Sequence, residues 1–356
     1  MPAQAGACPM EELRGRIQLV DPLAEDDWDD RLCNGASFFH GAAWARVLRD
    51  AYGFQPRCVV ASDRDGVLRG LLPIIDASSW VTGRRGVSLP FTDSCEPLGE
   101  SDEIVRLLFA AAVDEGRRQK WRYFEVRGGG RRLRAPASAS YFGHTISLSP
   151  STDEQLARTE PSVRRAIRKA ERSGVQIEFS RDLRAIVEFR ELSCQTRRRH
   201  GLPPQPLRFF QSLHRNVLAK GLGWVVLARV GGVPVAGAVF LHFRRSAIFK
   251  YGASDERFQE LRPNNLVFWR AIEWHSAAGF TEMDLGRTDR GQEGLRRFKL
   301  GWGAVERPIE YVRCDCRNGN FLTQSDRVHG WHNLLFRVMP GPLSRLVGAA
   351  AYRHVA

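Results

Sequence analysis

WVVLARVGGVPVAGAVFLHF, residues 224–243, is the stretch on which the fold turns. It is the most apolar segment of the chain, yet Arg229, the Gly231-Gly232-Val233-Pro234 run and His242 interrupt it, so it is too broken to span a bilayer. β-branched residues alternate on either side of Gly231-Gly232 and Pro234 stands at the entry to the second run, which predicts two antiparallel strands and a tight turn. A third strand, AIFKYGAS (247–254), follows at once. Beyond the loop DERFQELRP, the stretch NNLVFWRAIEWHSAAG (264–279) sets Leu266, Trp269, Ile272 and Glu273 on a helical period with Gly279 as its stop. FTEMDLG (280–286) then reads as another strand.

The first half has the same order. CVVASDRDGVLRGLLPII (58–75) is a hairpin around Asp65-Gly66, GVSLPF (86–91) a strand, SDEIVRLLFAAAVDEGRRQ (101–119) a helix and WRYFEVRG (121–128) the closing strand. Helices precede each unit, 41–53 in the first and 182–199 with 207–219 in the second. Two units of one order, about 170 residues apart, predict a duplicated α/β domain. GGGRRLRAPASAS (128–140) reads as a linker or exposed loop, and the boundary is placed near residue 150, after the strand-like YFGHTISLS. This gives domains 1–150 and 151–356.

Composition narrows the class. The chain has 356 residues, 43% hydrophobic and 26% charged, which excludes disorder, collagen and coiled-coil rods. Its 53 Lys plus Arg exceed 40 Asp plus Glu by 13, and the surplus is one-sided: residues 1–150 hold 19 basic and 20 acidic side chains, residues 151–356 hold 34 and 20. A field of that kind attracts phosphates, nucleic acid or an anionic membrane surface. Only five of the basic residues are Lys (120, 169, 220, 250 and 299), which draws notice to Lys250 and Lys299, because an ammonium is a compact donor that Arg replaces poorly. Seven Cys at irregular spacing, and an N-terminus without an apolar secretory core, predict a reducing, cytoplasmic setting. Cys314 and Cys316 lack partners at zinc-site spacing, so no metal is expected there; in a strand they face one side.

Three stretches carry candidate chemistry. In PSVRRAIRKAERSG (161–174), Val163, Ala166, Ile167 and Ala170 form the apolar face of a helix, while Arg164, Arg165, Arg168, Lys169 and Arg172 form the other. That face is either solvated or a phosphate grip. A second knot, Thr196-Arg197-Arg198-Arg199-His200, closes the next helix, where the macrodipole favours cations. In TEMDLGRTDRGQEGLRRFKLGWGAVERPIEY (281–311), a strand ends at Asp284-Leu285-Gly286 and a loop follows with Arg287, Thr288, Asp289, Arg290 and Glu293. Lys299 comes next, between Phe298 and a GlyTrpGly turn. Loops beyond strand ends are where open α/β sheets place ligands. The C-terminal tail from Trp331 is basic and amphipathic, with Arg337, Arg345 and Arg353, and suits either peripheral contact with an anionic membrane at its inner face or packing on the body. His329 and His332, without a third ligand, predict no metal.

RxxIRKAxxxGV, RRRHGLP, PVAGAVFL, YGAS, RPNNLVFWRAI, the DLGRT strand end and EGLRRFKLGWG, taken as a set, resemble the FemAB-like branch of the acetyltransferase (GNAT) superfamily. These are the peptidoglycan-bridge aminoacyltransferases and their BioF2-like relatives. The likeness covers 160–312 well and reaches the first half through FFHGAAWARVL (38–48), LRGLLPII and GVSLPF. It implies an α/β fold of two tandem GNAT-like domains, each a mixed β-sheet flanked by helices. It further implies an enzyme that transfers an acyl or aminoacyl group to an amine, with a phosphate-bearing or lipid-linked cell-envelope or polysaccharide precursor as partner. By that likeness Lys299, with Phe298 before it, lies in the active site and holds the developing oxyanion. Tyr251 and Ser254 of YGAS are hydrogen-bonding candidates there, and Asp284 or Asp289 takes the proton from the attacking ammonium. Arg164, Arg165, Arg168, Lys169, Arg172, Arg199 and Arg287 are the substrate-binding candidates. The donor is either an aminoacyl-tRNA or an acyl-CoA. SDERFQELRPNN has no glycine where acetyltransferases cradle the coenzyme A pyrophosphate, and no coiled-coil arm is present. Two other functions fit the residues: a CoA-dependent N-acetyltransferase of a small molecule, and a non-enzymatic polyanion binder. The second lacks a recognisable nucleic-acid module, so no stable nucleic-acid complex is expected.

Overall fold

The computed structural model describes residues 16–33, 35–79, 83–323, 347–348 and 352–354. Readings that rest on His329, His332, Arg337 and Arg345 lie outside the described residues, as does the side chain of Arg353. The first unit consists of β1 (Ile17–Val20), α1 (Ala42–Tyr52), the hairpin β2 (Pro56–Ser62) and β3 (Leu68–Asp76), β4 (Gly86–Val87), β5 (Leu98–Gly99), α2 (Asp102–Arg118) and β6 (Tyr123–Arg127). β7 (Ala139–Ser147) follows. The second unit consists of α3 (Pro161–Arg172), β8 (Gln176–Ser180), α4 (Leu183–Arg199), α5 (Leu207–Asn216), β9 (Gly223–Val230), β10 (Val233–Phe243), β11 (Ser246–Ser254), α6 (Pro263–Ala277) and β12 (Glu282–Thr288). α7 (Glu293–Leu300), β13 (Val305–Asp315) and β14 (Phe321–Leu322) close it. The hairpin that decides the fold turns on Gly231-Gly232, both at positive φ (57° and 80°), the conformation a two-residue turn demands. The strand expected over 86–91 is paired only at Gly86 and Val87, and the chain beyond it turns into a loop.

Each unit is a mixed sheet flanked by helices, two GNAT-like domains in tandem, and the two sheets are continuous. Their strand order is β1-β2-β3-β4-β6-β13-β7-β12-β11-β10-β9-β8. Strands are exchanged between the two units. β7 pairs antiparallel with β12 of the second unit, while β13 pairs antiparallel with β6 of the first. β7 and β13 pair with each other from Val305↔Thr145 to Tyr311↔Ala139. Pro308 is tolerated inside this strand because β6 pairs only from Tyr311 onward, so no ladder bond on that side needs its missing N–H.

Apolar side chains bury each face as period 2 requires. α3 and α6 pack on one face of the second sheet, through Val163, Ile167, Ala170, Leu266, Trp269 and Ile272. The other face carries α4 and α5, and its core runs without interruption into α1 and the 87–95 loop of the first unit. α2 covers the first sheet, and Cys314 and Cys316 both lie in that core. Among the described residues no helix is long and apolar enough to cross a membrane.

Candidate active site

β11 and β12 run parallel, yet they pair only at Ser246↔Glu282, Ala247↔Met283 and Ile248↔Asp284. Beyond these the strands fork. A bulge in each accounts for it, since a bulge bends its strand and increases its twist. In β11, Val239 faces Tyr251 and Phe240 faces Phe249, which leaves Lys250 without an opposite residue. In β12, Asp284 faces Thr145 and Arg287 faces Gly143, with Gly286 at φ 71°. Beside the fork, between β11, α6 and α7, Phe249, Val267, Phe268 and Phe298 wall a half-open apolar cavity of about 260 Å³. Arg199 and Ser254 are shared with an adjoining charged basin of about 530 Å³, lined also by Gln195, Arg198 and Arg257.

The first unit has the corresponding parallel pair, β4 with β6. That fork is zipped: Ser88 N donates to Glu125 O (2.7 Å), Arg127 N donates to Ser88 Oγ (3.0 Å) and Cys95 N donates to Arg127 O (2.7 Å). Of the two forks, the second is the one with room for a ligand.

At the end of β12 sits Lys299, carried there by α7 and only 2% exposed. Its Nζ donates to Gly286 O and to Arg287 O, each at 2.9 Å. Burial pushes its pKa down to about 8, partly offset by Asp93, Asp284 and Asp289. Asp284 is half-buried and accepts from Gly286 N (2.8 Å); burial, with the charge of Asp93, holds its carboxyl above the usual range. The carboxylate of Asp93 packs so closely on Gly286 that a Cβ there would lie 2.5 Å from Oδ2. Arg287 Nη1 donates to Tyr311 Oη (2.8 Å), which donates to Asp93 O (2.8 Å), and the guanidinium lies over the Tyr141 ring at 4.3 Å. Lys250 Nζ donates to Phe91 O (2.6 Å) and stands 5.0 Å and 5.3 Å from the Phe39 and Trp44 ring centres. Burial lowers its pKa as well. The Phe91–Asp93 loop of the first unit is thus held against the fork by Lys250 at Phe91 O and by Arg287, which pairs with the Asp93 carboxylate (3.7 Å) and reaches Asp93 O through Tyr311.

The structure sorts the residues singled out from sequence into five places. Lys299, Asp284 and Arg287 come together at the end of β12. Ser254, Arg199 and Phe298 line the cavity beside the fork. Tyr251 lies on the other face of β11, edge-on to Phe209 (5.9 Å), and accepts from Gln205 Nε2 (3.3 Å); three positions apart on a regular stretch of strand, Tyr251 and Ser254 face opposite sides. Asp289 is exposed in the loop after β12. On α3, Arg165, Arg168, Lys169 and Arg172 are exposed, whereas Arg164 donates to the carbonyls of Leu156, Ala157 and Thr159 and so is engaged in closing the short helix Thr152–Ala157.

Sequence reasoning passed over Asp93 and Tyr141. FTDSCE (91–96) carries no periodic signal, and only the strand exchange brings it within reach of residues nearly two hundred positions away. Tyr311 was within the region marked as rich in chemistry, and Lys250 was conspicuous as one of five lysines. Asp284 also lines a cleft of about 920 Å³ between the units, together with Ser37, Glu96, Ser246 and Arg307. Among the described residues no cluster of three His, Cys, Asp or Glu side chains could hold a metal.

Residues 158–300 match the acetyltransferase (GNAT) domain family. Among solved structures, FemX superposes with a TM-score of 0.65 over 81% of this chain and 95% of its own, at 15% identity. The tandem GNAT protein from the clavulanic acid biosynthesis pathway gives 0.55 over 86% and 100%, at 12% identity. The C-terminal domain of a putative lysylphosphatidylglycerol synthetase from Agrobacterium fabrum gives 0.50 over 76% and 86%, at 14%. At these identities the likeness is one of fold. No curated protein matches the sequence.

Proposed function

We propose that the protein is an acyl- or aminoacyltransferase that forms an amide on an amine of a phosphate-bearing or lipid-linked cell-envelope or polysaccharide precursor. The open fork between β11 and β12, with Lys299 bound at its end, carries the reading. The donor's carbonyl carbon is attacked by the acceptor amine; a C–N bond forms, the carbonyl oxygen becomes an oxyanion, and the bond to the carrier's sulfur or oxygen then breaks. An ammonium has three N–H donors, and Lys299 spends two on backbone carbonyls, which leaves one for that oxyanion. The acceptor arrives as an ammonium and must lose a proton before it attacks. Asp284, half-buried on the wall of the large cleft, is better placed to take it than exposed Asp289, and its raised pKa suits a base that returns the proton to the leaving group. The large cleft receives the acceptor; Arg165, Arg168, Lys169 and Arg172, on α3 over the opposite face of the sheet, act on its phosphate only through the long-range field.

Coenzyme A gripped in the usual way fits less well. The 256–261 loop winds into a 3-10 helix and Pro263, without an N–H, opens α6, so the backbone donors of a pyrophosphate cradle are not assembled. The test is purified protein with acyl thioester and aminoacyl ester donors and amine-bearing envelope precursors, the amide product read by mass spectrometry. Lys299→Met should lower kcat at least tenfold with little change in KM. Turnover like that of the wild type in this variant would remove Lys299 from the chemistry; no amide with any donor would overturn the reading.

A further inference from the structure

We propose that Lys250 is a positioning residue for the transfer: through Phe91 it seats the Asp93 carboxylate against Gly286, and so sets the charge beside Lys299. The inference rests on the reading of Lys299 and Asp284 as the groups that do the chemistry, and adds a third that touches neither substrate nor reacting atoms. Lys250 is 9% exposed, and its ammonium stands 5.0, 5.3 and 5.2 Å from the ring centres of Phe39, Trp44 and Tyr251. Among the described residues it is in no ion pair, and its one hydrogen-bond acceptor is Phe91 O at 2.6 Å. An ammonium held in such a place has shed most of its water, a cost that an apolar side chain of the same length would not carry. What only the lysine supplies is the bond to Phe91.

That bond falls on the strained residue of the loop. Phe91 is at φ 60°, a left-handed conformation that crowds a Cβ and persists only where the surroundings hold it. A charged donor to its carbonyl is the kind of hydrogen bond strong enough to do so. The next two carbonyls are held as well: Thr92 O accepts from Arg127 Nη1 (3.3 Å) and Asp93 O from Tyr311 Oη (2.8 Å). Those donors stand on β6 and β13, whereas Lys250 stands on the bulge of β11, so it is the one that ties the loop to a strand of the fork. Asp93, two residues on, rests its carboxylate on Gly286, whose carbonyl accepts from Lys299 Nζ (2.9 Å), and lies 3.7 Å from Arg287 Nε. Its charge there favours the ammonium of Lys299 and disfavours the carboxylate of Asp284. Lys299 also faces Asp284, Asp289, Arg287 and, from β7, His144, and Asp284 faces Arg307. None of these groups is carried by the Phe91–Asp93 loop. When the loop loses its hold and Asp93 withdraws, Lys299 and Asp284 should both release their protons at lower pH.

The test is a pH titration of the whole protein by NMR of carbon-13-labelled lysine, which the presence of only five lysines makes tractable. Lys250→Met keeps the length of the stem and removes the donor. In it the Lys299 midpoint should fall by about one pH unit, the scale on which one neighbouring charge acts. Asp93→Asn should give the same fall, and the double variant no more than either alone, because both changes remove one interaction. In transfer assays Lys250→Met should lower kcat about tenfold with little change in KM. Both limbs of its pH–rate profile should move down together, a displacement that loss of stability alone does not produce. A Lys299 midpoint unmoved in Lys250→Met or in Asp93→Asn, or a fall in the double variant equal to the sum of the two, would overturn the proposal. So would a Lys250→Met chain that fails to fold where Asp93→Asn folds, since the lysine would then be structural. Shifted midpoints in a protein that transfers nothing to any amine would uphold the coupling while removing the transferase reading. Transfer with unmoved midpoints would leave that reading standing and remove Lys250 from it.

Discussion

Lys299 is the residue at which burial, charge and site meet, and its titration can be measured without any substrate. A lysine in the unfolded chain keeps its proton to about pH 10.5, whereas Lys299 in the fold releases it near pH 8. Between these values the unfolded chain binds more protons than the folded one, so stability rises with pH from about 8 to 10.5 and the penalty is fully present below 8. The stability of the wild type minus that of Lys299→Met, from urea unfolding, should therefore grow by about 3 kcal/mol over that window. Lys250 titrates in both proteins and cancels; a flat difference would mean that Lys299 keeps its proton. Gly286 makes a second case. With φ at 71° and Asp93 Oδ2 in the space of a Cβ, Gly286→Ala should cost about 2 to 3 kcal/mol, and Asp93→Ala in that background should restore part of it. Lys299 draws notice in the sequence because lysine is scarce, while α7, the helix that carries it, is not marked there as one. Asp93 draws none, because an isolated aspartate becomes part of a site only through tertiary contact.

On α3 the sequence pattern and the structure agree on which face is buried, and they differ on what the other face is for. Val163, Ile167 and Ala170 are buried as their spacing predicts. The stripe treated as one set of five cations divides: Arg164 bonds three backbone carbonyls, and the four others stand exposed with no ion pair among the described residues. Spacing cannot show this difference, since Arg164 owes its partners to a short helix just upstream. Replacing Arg164 by Ala should cost about 1 to 2 kcal/mol, the loss of a charged donor to backbone acceptors. Replacing Arg165, Arg168, Lys169 and Arg172 together by Gln should instead leave stability unchanged or raise it by up to about 1 kcal/mol in low salt, as like charges at i,i+3 and i,i+4 are relieved. That gain should vanish at 1 M salt, where the Debye length is about 3 Å. An equal loss in both variants would mean that the four cations have structural partners after all.

For the molecule as a whole, the duplicated order of strands and helices was readable from periodicity and turn residues. The strand exchange was hidden. VERPIEYVRCD (305–315) mixes charges and a proline into what becomes a central strand, because one side of its first half is unpaired and its side chains alternate between core and surface. Its consequence is energetic. Val312, near the end of the second unit, is fully buried in the core under α2, so the first sheet is incomplete until that strand arrives. The two units should therefore unfold together, with tryptophan fluorescence and far-ultraviolet circular dichroism tracing one coincident transition in urea. Val312→Asp puts an unpaired carboxylate in that core and should lower the midpoint of the whole transition, by an amount that reflects a loss of about 3 kcal/mol or more. Two separated transitions, with only one of them moved by Val312→Asp, would show that each unit is stable without the strand it borrows. Cooperative unfolding would instead place the clamp on the Phe91–Asp93 loop, and with it the geometry of the fork, under the control of the entire sheet.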